Sequence, residues 1–350
     1  MSRFLSEKYN GLKVYTPGEQ PKDRTYVKLN TNESPFPPSP YAMRLARIAA
    51  GDLQLYCDPD CGALTSAAAE KFGIEKDEII FTNGSDEALW FAFMAFCDNG
   101  AGAAFPDITY GFYRVFAGLF NLPYTEIPLK SDLSVDADDY KGINKTVFIA
   151  NPNAPTGKAL PLCDIERIVK SNPSNVVVVD EAYVDFGGQT ALPLIKKYDN
   201  LLVVRTFSKS RSLAGARLGF AMGNKELIKD LKAIKYSTNP YNVNRMAQAA
   251  GLGALLDGEY FDNCVNRIIN NRKYLSDKLK ELGFTLTDSK ANFVFAKKDG
   301  VAGTDLYLKL KSKGVLVRHF DAGRTADYVR ITVGDMREIE TLLAKLEEIL

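Results

Sequence analysis

Runs of almost uninterrupted apolar character mark the middle of the chain. Residues 146–150 (TVFIA), 175–179 (NVVVV) and 201–204 (LLVV) offer no polar face. Strands of that kind are buried on both sides, as in a parallel sheet covered by helices. Shorter apolar stretches at 78–82 and 101–105 predict two more strands, and helical stretches are predicted at 63–72, 86–97 and 111–120. Residues 164–170 and 192–197 are placed to be crossover helices between central strands. The pattern changes after about Ser237. Long helical stretches cover 241–256 and 260–282. Strand, helix, strand, strand and helix then follow at 292–296, 304–313, 315–318, 328–333 and 338–350. The N-terminal segment differs again. Pro17-Gly18, then Pro35, Pro37, Pro38 and Pro40, predict an extended arm lying on something else. The expectation is an α/β chain with a large, doubly wound, mostly parallel sheet and a smaller α+β unit at its C-terminal end. The division expected is an arm over 1–40, a large domain over 41–258 and a small domain over 259–350.

Composition narrows function more than fold. The chain has 350 residues, with 44 Lys plus Arg against 43 Asp plus Glu. That balance leaves no electrostatic footprint for nucleic acid or an anionic membrane. No run of eighteen apolar residues exists to span a bilayer. Residues 1–10 lack an apolar signal core, so the expected location is the cytoplasm. The five cysteines are an odd number in a large chain, which argues against a disulfide framework. Cys57 and Cys61 form one isolated pair, read as ordinary reduced thiols rather than a zinc site. His319 is the only histidine, which excludes multi-histidine metal sites and argues against a Ser-His-Asp triad. No metal is expected. Acid–base chemistry falls to Lys, Tyr, Asp, Glu or a cofactor.

In open α/β sheets, ligands bind beyond the carboxyl ends of the strands. Four expected strand ends carry small, polar or ionisable residues. They are Asn83-Gly84-Ser85-Asp86, the segment 151–157 (NPNAPTG), Asp180-Glu181-Ala182-Tyr183, and Arg205-Thr206-Phe207-Ser208-Lys209 with Arg217 eight positions further on. Each alone has an ordinary structural explanation: a helix cap, a tight turn, a solvated lysine. Together at successive strand ends they match the needs of pyridoxal phosphate: a lysine, an acid for the pyridine nitrogen and a phosphate cradle. Asp180 would keep the ring nitrogen protonated, because opposite charges favour both charged forms. Tyr183 is placed to bond the ring oxygen O3′ and Tyr110 to stack on the ring. Thr206, Ser208 and Arg217 are placed to hold phosphate. The dinucleotide alternative lacks its G-x-G-x-x-G after a strand, and no P-loop exists.

These residues resemble the aspartate aminotransferase superfamily, the fold-type I pyridoxal phosphate enzymes. The resemblance rests on NGSDEAL at 83–89, NPNAPTG at 151–157, DEAY at 180–183 and SKSRSLAGAR at 208–217. Within the superfamily, nearly the whole chain is similar to the histidinol-phosphate aminotransferases. The narrower features are KLNTNESPFPPSP at 28–40, LYCDPD at 55–60, FPDITYGFY at 105–113, VRHF at 317–320 and YVRITVG at 328–334. The resemblance implies Lys209 as the Schiff-base lysine, Asp180 at the ring nitrogen, Tyr183 at O3′ and Tyr110 on the ring face. It implies the Ser85 and Asp86 backbone amides, Thr206 or Ser208, and Arg217 as phosphate ligands. Tyr56 is implied to reach the cofactor phosphate of the other subunit in a homodimer. Arg330 is implied to bind the carboxylate of the amino donor or oxo acid, Arg318 and Tyr15 the substrate phosphate, and Asn32 to join the substrate-binding set. One departure stands out. The family's asparagine before Pro-Thr-Gly, which bonds O3′, is here Ala154, with Asn153 beside it as the candidate to compensate. Asp335 after Gly334 is a smaller departure.

The resemblance implies a transaminase acting on histidinol phosphate and 2-oxoglutarate, giving glutamate, in histidine biosynthesis. A phosphothreonine decarboxylase or a broader aromatic aminotransferase shares the same cofactor rim and remains open. A non-catalytic, cofactor-binding regulator is the reading from another class. The intact lysine, acid and phosphate ligands oppose it, as does the lack of a basic DNA-binding appendage.

Overall fold

The computed structural model describes residues 2–12, 14–98, 100–321 and 323–350. Strand β1 (Val27–Lys28) and helices α1 (Pro40–Ala49) and α2 (Gly62–Phe72) precede the first strand of the main sheet, β2 (Ile79–Thr82). Next come α3 (Ser85–Phe96), β3 (Ala103–Pro106), α4 (Phe112–Leu119), β4 (Tyr124–Ile127), β5 (Thr146–Ala150), α5 (Leu162–Ser171), β6 (Val177–Asp180), β7 (Leu201–Thr206) and β8 (Gly219–Gly223). Helices α6 (Lys225–Thr238), α7 (Arg245–Leu256) and α8 (Gly258–Glu281) lead to β9 (Phe284–Leu286) and β10 (Phe293–Lys298). The chain ends with α9 (Gly303–Ser312), β11 (Val315–Leu316), β12 (Arg318–His319), β13 (Val329–Thr332) and α10 (Met336–Ile349). No helix among the described residues is long and apolar enough to cross a membrane.

Seven strands form the main sheet in the order β2-β8-β7-β6-β5-β3-β4. Neighbours are parallel except at β8, which runs antiparallel to both β2 and β7. The apolar runs split between two faces with the period of two that a pleated strand imposes. Val147, Ile149, Val177, Val179, Leu201 and Val203 pack into one core, and Phe148, Val178, Leu202 and Val204 into the other. Helices cover both faces, which is why no polar position was tolerated along these strands.

The second sheet is antiparallel, in the order β12-β13-β10-β9. Its core draws in Leu29 from the N-terminal segment and Phe186 from the loop after β6. The arm is tied down by β1, which pairs in parallel with β11. Asp335 has a structural task. Its carboxylate accepts from the Glu338 amide at 2.8 Å while Glu338 accepts from the Asp335 amide at 2.8 Å, a reciprocal cap on α10.

Several elements differ from expectation. Residues 192–197, expected as a crossover helix, form a 3-10 turn over Leu192–Lys196, with Pro193 in its first turn. The strand expected at 315–318 is two short ones. β11 pairs with the arm and β12 with β13, so the chain changes sheets within four residues. The helix expected from 241 begins at Arg245, where the Asn244 side chain accepts from the Ala247 amide at 2.9 Å. The pattern did not predict β1, α1, β4, β8, α6 or β9.

Candidate active site

Because β8 is the reversed strand, β2 runs in the same direction as β5, β6 and β7, and their carboxyl ends share one rim. A cavity of about 330 Å³ opens there. It is lined by Ser85, Asp86, Tyr110, Asp180, Tyr183, Thr206, Ser208, Lys209 and Arg217, all named from sequence, and by Ala154 in place of the expected asparagine. Thr31 and Glu33 of the arm also line it, and sequence reasoning gave them no role.

One end of the cavity is built for an anion. Helix α3 starts at Ser85, directly after Gly84 at φ 83°. A helix start presents free amides and the positive end of the helix dipole. Gly84 lies so close to Arg217 that a Cβ there would come within 2.7 Å of the guanidinium. Thr206 donates its hydroxyl to Ser208 Oγ at 2.9 Å, which gathers the two side chains beside this end. Arg217 reaches across to Asp86 Oδ2 at 2.9 Å, and the Tyr110 phenol donates to Asp86 Oδ1 at 2.6 Å. The Asp86 side chain therefore ties the expected stacking residue to the expected phosphate arginine, a link not anticipated.

Asp180 closes β6 at 5% exposure. Its Oδ2 accepts from the Tyr113 phenol at 3.0 Å and its Oδ1 from the Ala182 amide at 3.2 Å. Burial pushes its carboxyl up to about 7, against the pull of those two donors. A buried acid whose partners are neutral lacks a cation, and a protonated ring nitrogen would supply one. Lys209 donates to the Thr31 carbonyl at 3.3 Å, and its ammonium lies 5.8 Å from the Tyr183 ring centre. The Tyr183 phenol accepts from Asn32 Nδ2 at 3.0 Å. Asn32 itself adopts φ 53°, donates its backbone amide to Thr332 Oγ1 of β13 at 2.9 Å and accepts from that hydroxyl through its side-chain Oδ1 at 3.0 Å.

The remaining residues named from sequence lie outside the cavity lining. Arg330 on β13 stacks over Phe293 and Phe320, donates through Nη2 to the Asn30 carbonyl at 3.1 Å, and keeps a buried Nε without a partner. Burial lowers its pKa from the usual arginine value. Arg318 donates to the Thr16 and Pro17 carbonyls at 3.1 and 3.3 Å, which places it beside Tyr15 in the arm. The Tyr15 ring stacks on Phe112 with centroids 4.3 Å apart. Tyr56 is 81% exposed and stacked on Tyr241. Asn153 requires a correction. Its Nδ2 donates to the Ile108 carbonyl and to Thr156, and its Oδ1 accepts from Thr109 at 2.8 Å. The side chain is committed to the turn and does not line the cavity, so it does not replace the asparagine missing at Ala154.

Sequence reasoning also missed a buried charge network behind the site. Glu181 accepts from Arg205 at 2.9 Å, from Thr190 at 2.8 Å and from the Ala191 amide at 2.5 Å. Arg205 also reaches Asp185 at 3.7 Å, and Asp185 accepts from Ser210 at 2.5 Å. The strand ends bearing Asp180 and Lys209 are thereby joined one residue beyond each. Arg205 follows an apolar run and was the available signal.

A planar ligand with a phosphate at one end, a basic ring nitrogen and an aldehyde fits these groups: a helix start with Arg217, a buried acid without a cation on it among the described residues, and a lysine whose ammonium donates to a carbonyl. Comparison with known proteins agrees with that chemistry. The family described as Aminotransferase class I and II matches residues 24–346. The chain is 51% identical to the histidinol-phosphate aminotransferase of Brachyspira hyodysenteriae, across 100% of this chain and 99% of that protein. It is 45% identical to the histidinol-phosphate aminotransferase of Clostridium acetobutylicum, across 99% of each. The fold matches a crystal structure of histidinol-phosphate aminotransferase from Sinorhizobium meliloti in complex with pyridoxal-5'-phosphate. There the TM-score is 0.89 at 24% identity, covering 99% of this chain and 98% of that one.

Proposed function

The chain belongs to the class I and II aminotransferases, and from that premise we propose that it transfers the amino group between L-histidinol phosphate and 2-oxoglutarate with pyridoxal 5'-phosphate as cofactor. The observation that carries the reading is the meeting of Lys209, Asp180 and the α3 start in one cavity. The bound cofactor would supply an aldehyde for the substrate amine and a ring that takes up the electrons left when the Cα–H bond breaks. The chain does the rest. Lys209 Nζ would hold the aldehyde between turnovers and, once freed, would move the proton between the substrate Cα and the cofactor. Asp180 would keep the ring nitrogen protonated, and Tyr183 would hold the ring oxygen in place of the missing asparagine contact. The Ser85 and Asp86 amides, Thr206, Ser208 and Arg217 hold the phosphate, and Tyr110 covers the ring. Arg330 receives the carboxylate of glutamate or 2-oxoglutarate. Arg318, Tyr15 and Asn32 complete the substrate side.

We further assign the division into an arm over 1–40, a large domain over 41–258 and a small domain over 259–350, a homodimer, and a place in the cytoplasm, where histidine is made. The test is a half-reaction spectrum of the holoenzyme with histidinol phosphate, glutamate, phenylalanine and phosphothreonine in parallel. Conversion of the cofactor to its amine form by the first two, and at least tenfold more slowly by phenylalanine, is expected. Release of carbon dioxide from phosphothreonine without amine formation would replace the reading with the decarboxylase, and no spectral change with any amine would leave a binding protein.

A further inference from the structure

Tyr113 lies in the first turn of α4, one residue into the helix, at 0% exposure. Its ring is held by three others: Tyr110 edge-on at 5.7 Å, Phe105 at 5.7 Å and Phe148 at 5.6 Å. A ring packed on three sides has one place to put its hydroxyl, and here that place is Asp180 Oδ2, 3.0 Å away. Nothing in the chemistry assigned so far uses this phenol.

We propose that Tyr113 is a positioning residue for transamination, whose buried phenol orients Asp180 and sets how firmly the cofactor's ring nitrogen keeps its proton. The inference rests on the assignment of Asp180 to that nitrogen. A hydrogen bond donated to a carboxylate favours its charged form. Burial and the nearby Asp180 charge raise the Tyr113 phenol well above its ordinary range, so it stays a donor. The other groups acting on Asp180 are Asp86 from the start of α3 and Glu181, both raising its proton affinity, with Glu181 itself met by Arg205 of β7. Lys209 faces the same cavity. Without the phenol, Asp180 would face two carboxylates with the Ala182 amide as its remaining hydrogen-bond donor. The proton shared between Asp180 and the ring nitrogen then moves toward the carboxylate, and the ring loses the charge that draws electrons from Cα. The loss of a hydrogen bond to a charged group corresponds to a roughly ten- to hundredfold change in how the proton divides between carboxylate and nitrogen.

The experiment uses holoenzyme carrying cofactor labelled with nitrogen-15 at the ring, read by NMR across pH. In Tyr113→Phe, which keeps the ring packing, the nitrogen-15 shift at neutral pH is expected to move toward that of a neutral pyridine, because the shared proton sits more on the Asp180 carboxylate. Turnover should fall about tenfold or more with KM within about twofold. Site-specific 3-fluorotyrosine at position 113 keeps the hydroxyl and makes it a stronger donor, so the nitrogen-15 shift should stay at or move toward the fully protonated value. Asp180→Asn separates the two layers of inference. If Asp180→Asn neutralises the nitrogen while neither Tyr113 change moves its nitrogen-15 shift, Tyr113 is only a packing residue. If Asp180→Asn leaves the nitrogen protonated, the assignment of Asp180 fails and the role of Tyr113 with it.

Discussion

At the scale of single residues, the two arginines of the small sheet carry the substrate problem. Histidinol phosphate has a phosphate and no carboxylate, and glutamate has two carboxylates and no phosphate, so one site must take both anions in turn. Arg330 is half-buried with a buried, unpartnered Nε, and a planar fork for a carboxylate is what lysine cannot reproduce. Arg330→Lys is expected to raise KM for glutamate by about 10–100-fold, the worth of one charge-assisted hydrogen bond. Near-normal glutamate kinetics in that variant would remove Arg330 from the carboxylate site. Arg318 makes no ion pair among the described residues and instead holds two arm carbonyls. Arg318→Ala should therefore harm histidinol phosphate much more than its dephosphorylated analogue histidinol, and equal losses would reduce it to an anchor for the arm. Residues with distinctive chemistry at strand ends, such as Lys209, Asp180 and Arg217, were legible in the sequence. Tyr113 was not, because a tyrosine in a helical run of Phe, Tyr, Val and Phe reads as core, and only coordinates show where its hydroxyl points.

At the scale of elements, the strand that assembles the rim was the one the pattern concealed. β8 reads GFAMG, with glycine at both ends and only three apolar residues between them, so it resembles a loop. Its glycines answer to packing. Gly219 pairs with Thr82 on one side and Thr206 on the other, at the rim itself. A Cβ there would lie 2.3 Å from the Ser85 amide nitrogen and 2.4 Å from the Gly84 carbonyl carbon, both backbone atoms that cannot rotate away. Gly219→Ala should displace the start of α3, costing about 1–3 kcal/mol of stability as overpacking does. Cofactor affinity should drop further than that of Gly118→Ala, an exposed position on α4 where a Cβ meets nothing within 4 Å. Titration of apoprotein with pyridoxal phosphate checks this, and equal affinities for the two variants would show that α3 does not set phosphate binding. The parallel strands were legible for the opposite reason: burial on both faces leaves a run of valines that no loop contains. The split of β11 from β12 was illegible because a change of partner sheet leaves no mark on hydrophobicity.

At the scale of the whole molecule, an apolar surface asks for a partner. Ile48, Leu53, Leu55 and Leu256 are each more than half exposed, and Tyr56 at 81% stands out beside them, braced by Tyr241 at 4.7 Å. These residues come from α1, the segment after it, and the end of α7, and α1 and α7 pack on each other. A second copy of the chain docked on this face would bury them and bring Tyr56 toward the other copy's rim, since a two-fold interface uses the same patch twice. Tyr56 and Lys209 would then serve one site from two chains. Lys209→Ala and Tyr56→Ala, each inactive or nearly so alone, should regain activity when the two chains are co-expressed. In each hybrid dimer one site draws Lys209 from one chain and Tyr56 from the other and is whole, while the second site lacks both. Random pairing makes half the dimers hybrid, so recovery should approach about a quarter of wild-type turnover. Activity no greater than the sum of the two parents, or full activity in a species that sediments as a monomer, would show that each chain completes its own site and that the exposed apolar face serves something else.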